Sequence, residues 1–259
     1  MHLITSKDNP HVKAWRRLAQ SGTAYRKAGQ FWLEGDHLCR AALARGQKPL
    51  CVVLTESFNA EQGPQWSGLT DQLFILPDAL FASLSGLESP ARMGFVLAFN
   101  PANQVLPGVA TVVLDRLQDA GNVGAILRCA SAFGYRQVLA LKGTAALWSP
   151  KVLRAGMGAH FGLHWVESLC EAEVAALQVP LLTTSSHQGP FLHECLRQGD
   201  LPSLCAWVFG HEGQGVSPSL MALAQRSVRI AQPGGEESLN VATAAAICLH
   251  ASATAKAST

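Results

Sequence analysis

Two glycine-rich turns near the C-terminal end constrain the fold of this chain more than any other stretch. Residues 205–215 read CAWVFGHEGQG and residues 227–235 read SVRIAQPGG, so a short apolar run ends each time in glycines and polar residues. Such runs predict strands, and the small-residue stretch after the second turn predicts a helix. Glycines let a backbone approach a ligand closely, and open α/β sheets bind ligands beyond the carboxyl ends of their strands. The turns therefore predict an α/β fold with a binding site at one sheet edge.

The composition is that of a folded protein long enough for two domains. The 259 residues are 48% apolar and 15% charged, and the seven cysteines form no C-x-x-C pair. Cysteines inside apolar runs favour buried, reduced thiols, so we predict no disulfide and no metal. No run approaches the ~18 apolar residues of a membrane span, and the first residues lack the apolar core of a signal peptide. We therefore expect a cytoplasmic protein with no membrane partner.

The charge of the chain is unevenly distributed. The net charge is only +2, but residues 1–50 contain nine Lys and Arg against three acidic residues. A basic surface of this kind favours a polyanionic partner, although a solvated helix face gives the same pattern. The candidate contact residues are Lys7, Lys13, Arg16, Arg17, Arg26 and Lys27.

A proline-containing stretch without periodicity divides the chain. Before it, short apolar runs alternate with helical patterns, which indicates a small α/β domain. The predicted strands of this domain are 31–35, 50–55, 72–76 and 93–99. Residues 100–107 hold two prolines and two asparagines, so we place the linker there. The predicted domains are therefore 1–102 and 108–259.

Three motifs in the second domain place polar side chains where predicted strands end. Residues 115–128, DRLQDAGNVGAILR, run from a strand through a turn with Asn122 to an arginine on the following helix. Residues 209–217 read FGHEGQGVS, and an S-L-N sequence that begins at Ser238 precedes the last helix. Helix capping by Asn122 and by Ser238 would explain the first and third motifs separately. The first motif lacks the G-x-G-x-x-G pattern of dinucleotide sites and the second lacks the Lys-Ser/Thr end of a P-loop, which argues against both ligands.

Together and in this order, the motifs resemble those of a known family. N-V-G-A-I-L-R, F-G-H-E-G-Q-G-V-S and S-L-N-V-A-T-A are similar to the three motifs of the SpoU-type branch of the SPOUT superfamily, the RNA ribose 2′-O-methyltransferases. The resemblance covers residues 108–250, and the N-terminal stretch is similar to the substrate-binding domain of many members. The implied fold is a ribosomal-protein-like α/β RNA-binding domain followed by a trefoil-knotted α/β (SPOUT) methyltransferase domain, one of the rare exceptions to the rule against knots.

The resemblance also implies a cofactor, a partner and the residues of a site. Family members transfer a methyl group from S-adenosylmethionine to RNA, and they are homodimers with the site near the interface. Carried over by motif, the residues that would hold the cofactor are Gly210, Ile230, Leu239, Phe209 and Gly215. Those of the catalytic and substrate pocket would be Arg128, Asn122, Glu212, Ser238 and Asn240.

The arginine of the first motif is the general base in the family proposal. We expect a different role for Arg128, because a guanidinium does not readily lose a proton and a nearby phosphate favours its charged form. Arg128 would orient the target phosphate and stabilise the alkoxide, while Ser238 and Asn240 order the ribose hydroxyl. Two histidines, His160 and His211, are also candidate acid–base groups, but a core or loop position explains both.

One departure from the family pattern lies in the third motif. Many members have I-P-M-x-G, whereas Ile230 is followed here by A-Q-P-G-G and by the acids Glu236 and Glu237. We expect this change to alter how the loop closes over the cofactor.

The identity of the substrate stays open at this point. Ribosomal RNA is the first expectation and transfer RNA the second. A catalytically silent RNA-binding or ribosome-assembly factor is a further alternative, and methyl transfer to a base would belong to another branch of the superfamily.

Overall fold

The chain folds into two compact units. The computed structural model describes residues 1–86, 89–101, 104–185, 188–234 and 238–257. The first unit consists of Met1–Asn100 together with Trp148–Phe161, and the second of Pro101–Leu147 with Gly162–Thr259. A short segment from the second half of the sequence thus belongs to the first unit. The assignment of 1–102 and 108–259 to separate functional domains stays a prediction.

Eleven strands and ten α-helices form within the described residues. The strands are β1 (His2–Leu3), β2 (Gln30–Glu34), β3 (Cys51–Thr55), β4 (Leu73–Leu76), β5 (Met93–Ala98), β6 (Thr111–Asp115), β7 (Gln137–Leu141), β8 (His164–Leu169), β9 (Leu181–Thr184), β10 (Ala206–Gly210) and β11 (Arg226–Val228). The helices are α1 (Pro10–Gln20), α2 (Ala24–Ala28), α3 (Asp36–Ala44), α4 (Glu56–Gln62), α5 (Asp78–Ala82), α6 (Ala120–Ala132), α7 (Pro150–Gly156), α8 (Leu192–Gln198), α9 (Pro218–Leu223) and α10 (Val241–Ala257).

A five-stranded mixed sheet forms the centre of the first unit. Its strand order is β1-β4-β3-β5-β2, in which β1, β4 and β3 are parallel and β5 is antiparallel to both of its neighbours. Strand β3 is buried at every residue, as its continuous apolar sequence indicates. The four strands predicted for this half, β2 to β5, are present. The two-residue edge strand β1 is too short to give a periodic signal.

Helix α1 presents a basic face and buries an apolar one. The Asn9 side chain accepts a hydrogen bond from the His11 N–H at 2.8 Å, and Pro10 occupies the first turn, where its missing N–H is not needed. The buried residues recur at helical spacing and are Val12, Trp15, Leu18 and Ala19. The polar face of α1 is therefore turned to solvent.

Trp148 packs into the aromatic core of the first unit. Its ring centroid lies 4.5 Å from that of Phe31, 6.2 Å from that of Phe99 and 5.9 Å from that of Phe161. The rings meet at interplanar angles of 54° to 67°, the tilted and edge-to-face arrangements that aromatic pairs prefer. Trp148 is only 5% exposed, so the segment Trp148–Phe161 contributes a buried aromatic side chain to the first unit.

Removal of this side chain should destabilise the protein. We predict that Trp148→Ala lowers the free energy of unfolding by about 3–5 kcal/mol, because a large buried ring is replaced by a cavity. Urea denaturation followed by far-UV circular dichroism measures the change. The control Leu50→Ala alters a residue of the same unit that is 42% exposed, and it should cost under about 0.5 kcal/mol. A loss below about 1 kcal/mol for Trp148→Ala would contradict a core role of this segment.

A six-stranded, entirely parallel sheet forms the centre of the second unit. Its strand order is β11-β9-β10-β6-β7-β8. The adjacent strands β6 and β10 are buried at every residue, and Gly210 lies opposite Asp115 at their carboxyl ends. Because the strands run in the same direction, the first and second motifs leave the sheet side by side.

Helices α6 and α10 pack against each other and bring the third motif to the first. Capping of α6 by Asn122, the alternative explanation of the first motif, is wrong. The helix begins at Ala120, and the Asp119 side chain accepts the capping hydrogen bond from the Asn122 N–H at 2.7 Å. The capping role passes to an earlier residue, so the Asn122 carboxamide is available for other partners.

The cysteines and the potential metal ligands form no further site within the described residues. All seven cysteines are free, five of them are buried, and only Cys170 is classed as exposed. Within the described ranges, no three His, Cys, Asp or Glu side chains are grouped so as to hold a metal ion. None of the helices in those ranges has the length and hydropathy to cross a bilayer.

Candidate active site

A cleft of about 340 Å³ opens where the strands of the parallel sheet end. Its walls come from the segments after β9, β10 and β11 and from the start of α10. Seven of the ten site residues predicted from the motifs line it, namely Gly210, Glu212, Gly215, Ile230, Ser238, Leu239 and Asn240. The cleft therefore unites the second and third motifs, which are separated in sequence by the whole of α9 and β11.

Two glycines give the second-motif loop its tight shape. A Cβ atom on Gly210 would lie 2.2 Å from the carbonyl carbon of Gly215 and 2.2 Å from the Val216 nitrogen, so no other residue fits there. Gly215 has a φ of 68°, in the left-handed region that suits glycine. Its N–H donates to the His211 carbonyl at 2.8 Å and closes the turn.

His211 stabilises this loop from within. Its Nδ1 accepts hydrogen bonds from the N–H groups of Gly213 and Gln214 at 3.0 and 3.3 Å. An Nδ1 that accepts these bonds carries no proton, which assigns the ring proton to Nε2. The geometry agrees with a loop histidine, whereas His160 is a buried residue of the first unit.

A chain of hydrogen bonds joins all three motifs beside the cleft. The Asn122 Nδ2 donates to Glu212 Oε1 at 3.3 Å, and Asn122 Oδ1 accepts from Asn240 Nδ2 at 2.9 Å. The Asn240 Oδ1 in turn accepts from the backbone N–H groups of Ala242 and Thr243 at 2.9 and 3.2 Å and caps α10. We call this Glu212–Asn122–Asn240 chain the carboxamide relay. It fixes the orientation of both carboxamides, because reversal of either would place like groups together.

The carboxylate end of the relay is anchored on the start of α6. Glu212 accepts hydrogen bonds from the N–H groups of Gln118 and Asp119 at 3.3 and 3.1 Å. Partial withdrawal of the carboxylate from water raises the pKa of Glu212, but the hydrogen bonds from its own N–H, Asp119, Asn122 and Gln118 together outweigh this and lower the pKa. Glu212 is therefore ionised at neutral pH and suits the role of an acceptor that orients Asn122.

Three predicted site residues do not line the cleft. Asn122 lies behind it in the relay. Phe209 is completely buried, and its ring stacks on Trp207 with centroids 6.2 Å apart, so only its backbone could meet a cofactor. Arg128 lies on α6, six residues after Asn122, where it is exposed and has no hydrogen bond or ion pair to the described part of the chain. The Arg128 guanidinium is thus available to contact a substrate.

Gln232 belongs to the cleft, although we did not assign it a role from the sequence. It lines the cavity, and its buried Oε1 has no hydrogen-bond partner among the described residues. A buried acceptor without a partner is costly, which fits a ligand that donates a hydrogen bond. In the sequence, only the position of Gln232 within the altered third motif indicated a role. The two acids of that motif, Glu236 and Glu237, lie outside the described residues.

The six basic residues assigned to RNA lie in the first unit, and three of them have partners within it. The Arg26 Nε donates to the Tyr25 hydroxyl at 3.2 Å. Arg16 donates to the carbonyl and hydroxyl oxygens of Ser83 at 3.3 and 3.0 Å, and Lys13 pairs with Asp8 at 3.1 Å on an exposed surface. Lys7, Arg17, Arg26 and Lys27 are exposed. Their assignment to RNA stays a prediction.

Comparison with known proteins assigns the chain to a family. The model of the SpoU rRNA Methylase family matches residues 110–250, and that of the MRM3-like substrate binding domain matches residues 9–94. The first match spans more than half of the chain, and the chain belongs to the SpoU rRNA Methylase family. This membership confirms the predictions of an enzyme, of RNA methyl transfer and of S-adenosylmethionine as the cofactor.

Individual relatives resemble the chain over nearly its whole length. It is 30% identical to an uncharacterized tRNA/rRNA methyltransferase of Synechocystis, over 95% of this chain and 92% of that protein. It is 28% identical to the 23S rRNA guanosine 2′-O-methyltransferase RlmP of Bacillus subtilis, over 96% and 98%. A crystal structure of an RNA 2′-O ribose methyltransferase matches 99% of this chain and 100% of its own, with a TM-score of 0.79 and 27% identity. The predicted fold class is confirmed.

Substitution of Asn240 should separate helix capping from the relay. Asn240→Asp keeps an oxygen that caps α10, so we predict an unfolding free energy within about 1 kcal/mol of wild type. The substitution removes the N–H group that donates to Asn122, so we predict a methylation rate lower by about tenfold or more. Asn240→Ala loses the cap as well and should cost about 1 kcal/mol of stability. Denaturation curves and methyl transfer assays of both variants test this. Full activity of Asn240→Asp would show that the relay is dispensable.

Glu212 should make stability depend on pH in the acid range. The pKa of Glu212 in the folded protein lies below its value of about 4.3 in the unfolded chain. The stability that its ionised carboxylate contributes is therefore fully present above about pH 4.3 and is lost as the pH falls through the folded-state pKa. We expect the stability difference between wild type and Glu212→Gln to shrink as the pH falls below about 4.3. Because the two proteins share every other carboxylate, urea denaturation at a series of pH values isolates Glu212. A difference that does not change with pH would refute the lowered pKa.

Proposed function

We propose that this enzyme transfers the methyl group of S-adenosylmethionine to a ribose 2′-hydroxyl of ribosomal RNA. The carboxamide relay carries the proposal, because it connects the three motifs beside one cleft through Asn122 and Asn240. RlmP, whose name specifies a ribosomal RNA and a 2′-oxygen, supports the choice of substrate and atom. The intact relay, with an exposed Arg128 on the same helix as Asn122, favours an active enzyme over a silent RNA-binding factor.

The cleft fits the cofactor in size and in lining. Its volume of about 340 Å³ is within the range of small-molecule sites, which are mostly apolar with a few placed polar groups. The backbone at Gly210 and Gly215 and the side chains of Ile230 and Leu239 would hold the adenosine and methionine parts, and the partnerless Oε1 of Gln232 would accept one of their donors. When bound, S-adenosylmethionine supplies a methyl group activated by its positive sulfur.

The residues of the chain have to orient the ribose hydroxyl and stabilise the charge that develops on it. Asn240, which lines the cleft, uses one Nδ2–H in the relay and keeps a second one, so it would offer the ribose oxygen a donor whose orientation Asn122 fixes. Ser238 adds a hydroxyl at the exposed mouth of the cleft. The ribose hydroxyl would release its proton to water there, and bound S-adenosylmethionine would supply the methyl group that takes the place of this proton.

Arg128 completes this assignment as an electrostatic residue. Its charged guanidinium matches a phosphate with two parallel hydrogen bonds, so it would hold the phosphate next to the target ribose and offset the alkoxide charge. Glu212 accepts three hydrogen bonds that lower its pKa, which makes it an orienting anchor and a weak base.

Binding of the RNA would depend on phosphate contacts in the first unit. The exposed Lys7, Arg17, Arg26 and Lys27 give such contacts without reading a base sequence. Because the substrate is ribosomal RNA, we place the protein in the cytoplasm.

A homodimer is also part of the proposal. A groove of about 610 Å³ between α8 and α10 has mostly apolar walls, and Ile247 within it is 38% exposed. A second copy of the chain packed on this face would cover it.

Methylation of RNA from a strain that lacks the gene tests the proposed reaction. The purified protein is incubated with radiolabelled S-adenosylmethionine and this RNA, which is then hydrolysed with alkali. A 2′-O-methyl group blocks cleavage at its own position, so we expect the label in alkali-resistant dinucleotides of ribosomal RNA. Label in mononucleotides would mean base methylation, label in transfer RNA would correct the substrate, and an absence of label would favour a silent factor.

Arg128→Lys tests whether the planar guanidinium matters. The variant keeps the charge and loses the bidentate fork, and we predict at least a roughly tenfold loss of kcat/KM for RNA. The affinity for S-adenosylmethionine should change less than about twofold, since Arg128 does not line the cleft. Arg136→Lys, a matched change at another exposed arginine of the second unit, should retain full activity. If Arg128→Lys kept most of the turnover, bidentate positioning would not be its role.

A further inference from the structure

Arg116 holds an unusual backbone conformation directly after β6. Its φ of 60° lies in the left-handed region, where glycine and asparagine are usual and arginine is rare. The following turn keeps it there: the Arg116 N–H donates to Thr144 Oγ1 at 3.1 Å, and the Thr144 hydroxyl donates to the Leu114 carbonyl at 3.0 Å. Gly143 packs on the side chain so closely that a Cβ would lie 3.3 Å from Arg116 Cγ. Strain held so firmly points to a role for the side chain.

The guanidinium of Arg116 connects a buried carboxylate to the second-motif loop. Its Nε and Nη2 donate to the two oxygens of Asp115 at 2.8 and 3.4 Å, and its Nη1 donates to Gln214 Oε1 at 3.0 Å. The Asp115 side chain has no exposed surface, and its Oδ2 also accepts from the Ser217 N–H at 2.7 Å. The hydrogen bond to Asp115 raises the pKa of Arg116, which keeps the guanidinium charged. The ion pair thus reaches both the middle and the end of the loop.

The loop held in this way is a wall of the cleft. Gly215 and Val216, which line the cleft, lie between the two attached residues Gln214 and Ser217. Gln214 itself is exposed, so packing does not fix its position. Glu212 attaches the same loop to the start of α6 through the relay. The loop therefore has one attachment on the catalytic side and another, through Arg116, beside the residues that meet the cofactor.

We propose that Arg116, paired with the buried Asp115, is a positioning residue for the cofactor: it holds Gln214 so that Gly215 and Val216 keep the shape of the cofactor wall. The inference rests on the proposed use of the cleft for S-adenosylmethionine. It adds a role for Asp115, Arg116 and Gln214, none of which is assigned to binding or catalysis above.

Gln214→Ala tests the proposal without leaving a buried charge unpaired, because the Arg116–Asp115 pair stays intact. Calorimetric titration of the full chain with S-adenosylmethionine should give a Kd raised roughly three- to tenfold, with kcat at saturating cofactor within about twofold of wild type. Gln214→Glu keeps the acceptor and should restore wild-type affinity. Gln225→Ala removes an exposed glutamine of the same unit and should leave the affinity unchanged.

A double-mutant cycle tests whether the effect passes through Arg116. Arg116→Asn removes the guanidinium and provides a residue that tolerates the left-handed backbone. If the two residues act as one unit, Arg116→Asn combined with Gln214→Ala should weaken cofactor binding no more than Arg116→Asn alone. Additive effects of the two substitutions would overturn the proposal.

Amide hydrogen exchange measures the same attachment without a ligand. Exchange at residues 213–217 should become faster in Gln214→Ala, while the melting temperature changes by less than about 2 °C. Unchanged exchange, or faster exchange with an unchanged Kd, would overturn the positioning role. If the wild-type protein fails to bind S-adenosylmethionine, the proposed function is wrong, and the exchange data still decide whether Arg116 holds the loop.

Discussion

The parallel pairing of β6 with β10 determines where the chemistry of the second unit lies. The register places Asp115 opposite Gly210, so the first and second motifs leave the sheet at adjacent positions. The buried Asp115 carboxylate can then accept from the Ser217 N–H, and Glu212 can reach the start of α6. Each of these contacts joins residues about a hundred positions apart. A shift of this register by one residue would separate all of them.

The second property of the site is that the donor and acceptor ends of its two carboxamides have a fixed orientation. A free carboxamide can turn its oxygen or its nitrogen toward a substrate. In the relay, only one orientation of Asn122 and Asn240 satisfies both ends, because one end is a carboxylate and the other consists of two backbone N–H groups. Donors whose orientation is set before the substrate arrives need no reorganisation during the reaction. The low pKa of Glu212 has the same effect, because an ionised carboxylate accepts hydrogen bonds and donates none.

Much of this arrangement could be predicted from the sequence, and the misses have a common physical cause. The glycines and polar residues after apolar runs indicated a site at the sheet edge, and the resemblance of the motifs to those of the SpoU family supplied the individual residues, seven of which line the cleft. The cap of α6 was misplaced because Asp119 and Asn122 are both good caps, and only the partner of the Asn122 carboxamide, far away in sequence, decides between them. Arg116 and Gln232 were missed for the same reason, since their importance depends on partners or on a cavity that local patterns do not contain.

The packing of Trp148 among the aromatic rings of the first unit also has a consequence for synthesis of the protein. Domains usually fold in order as the chain leaves the ribosome. Here the aromatic core that includes Phe31 and Phe99 lacks its last members until Phe161 has emerged. By then two strands of the second sheet, β6 and β7, have already been made. Completion of the N-terminal unit is therefore tied to translation of the following one, and a ribosome that stops near residue 100 leaves a core with exposed aromatic surface.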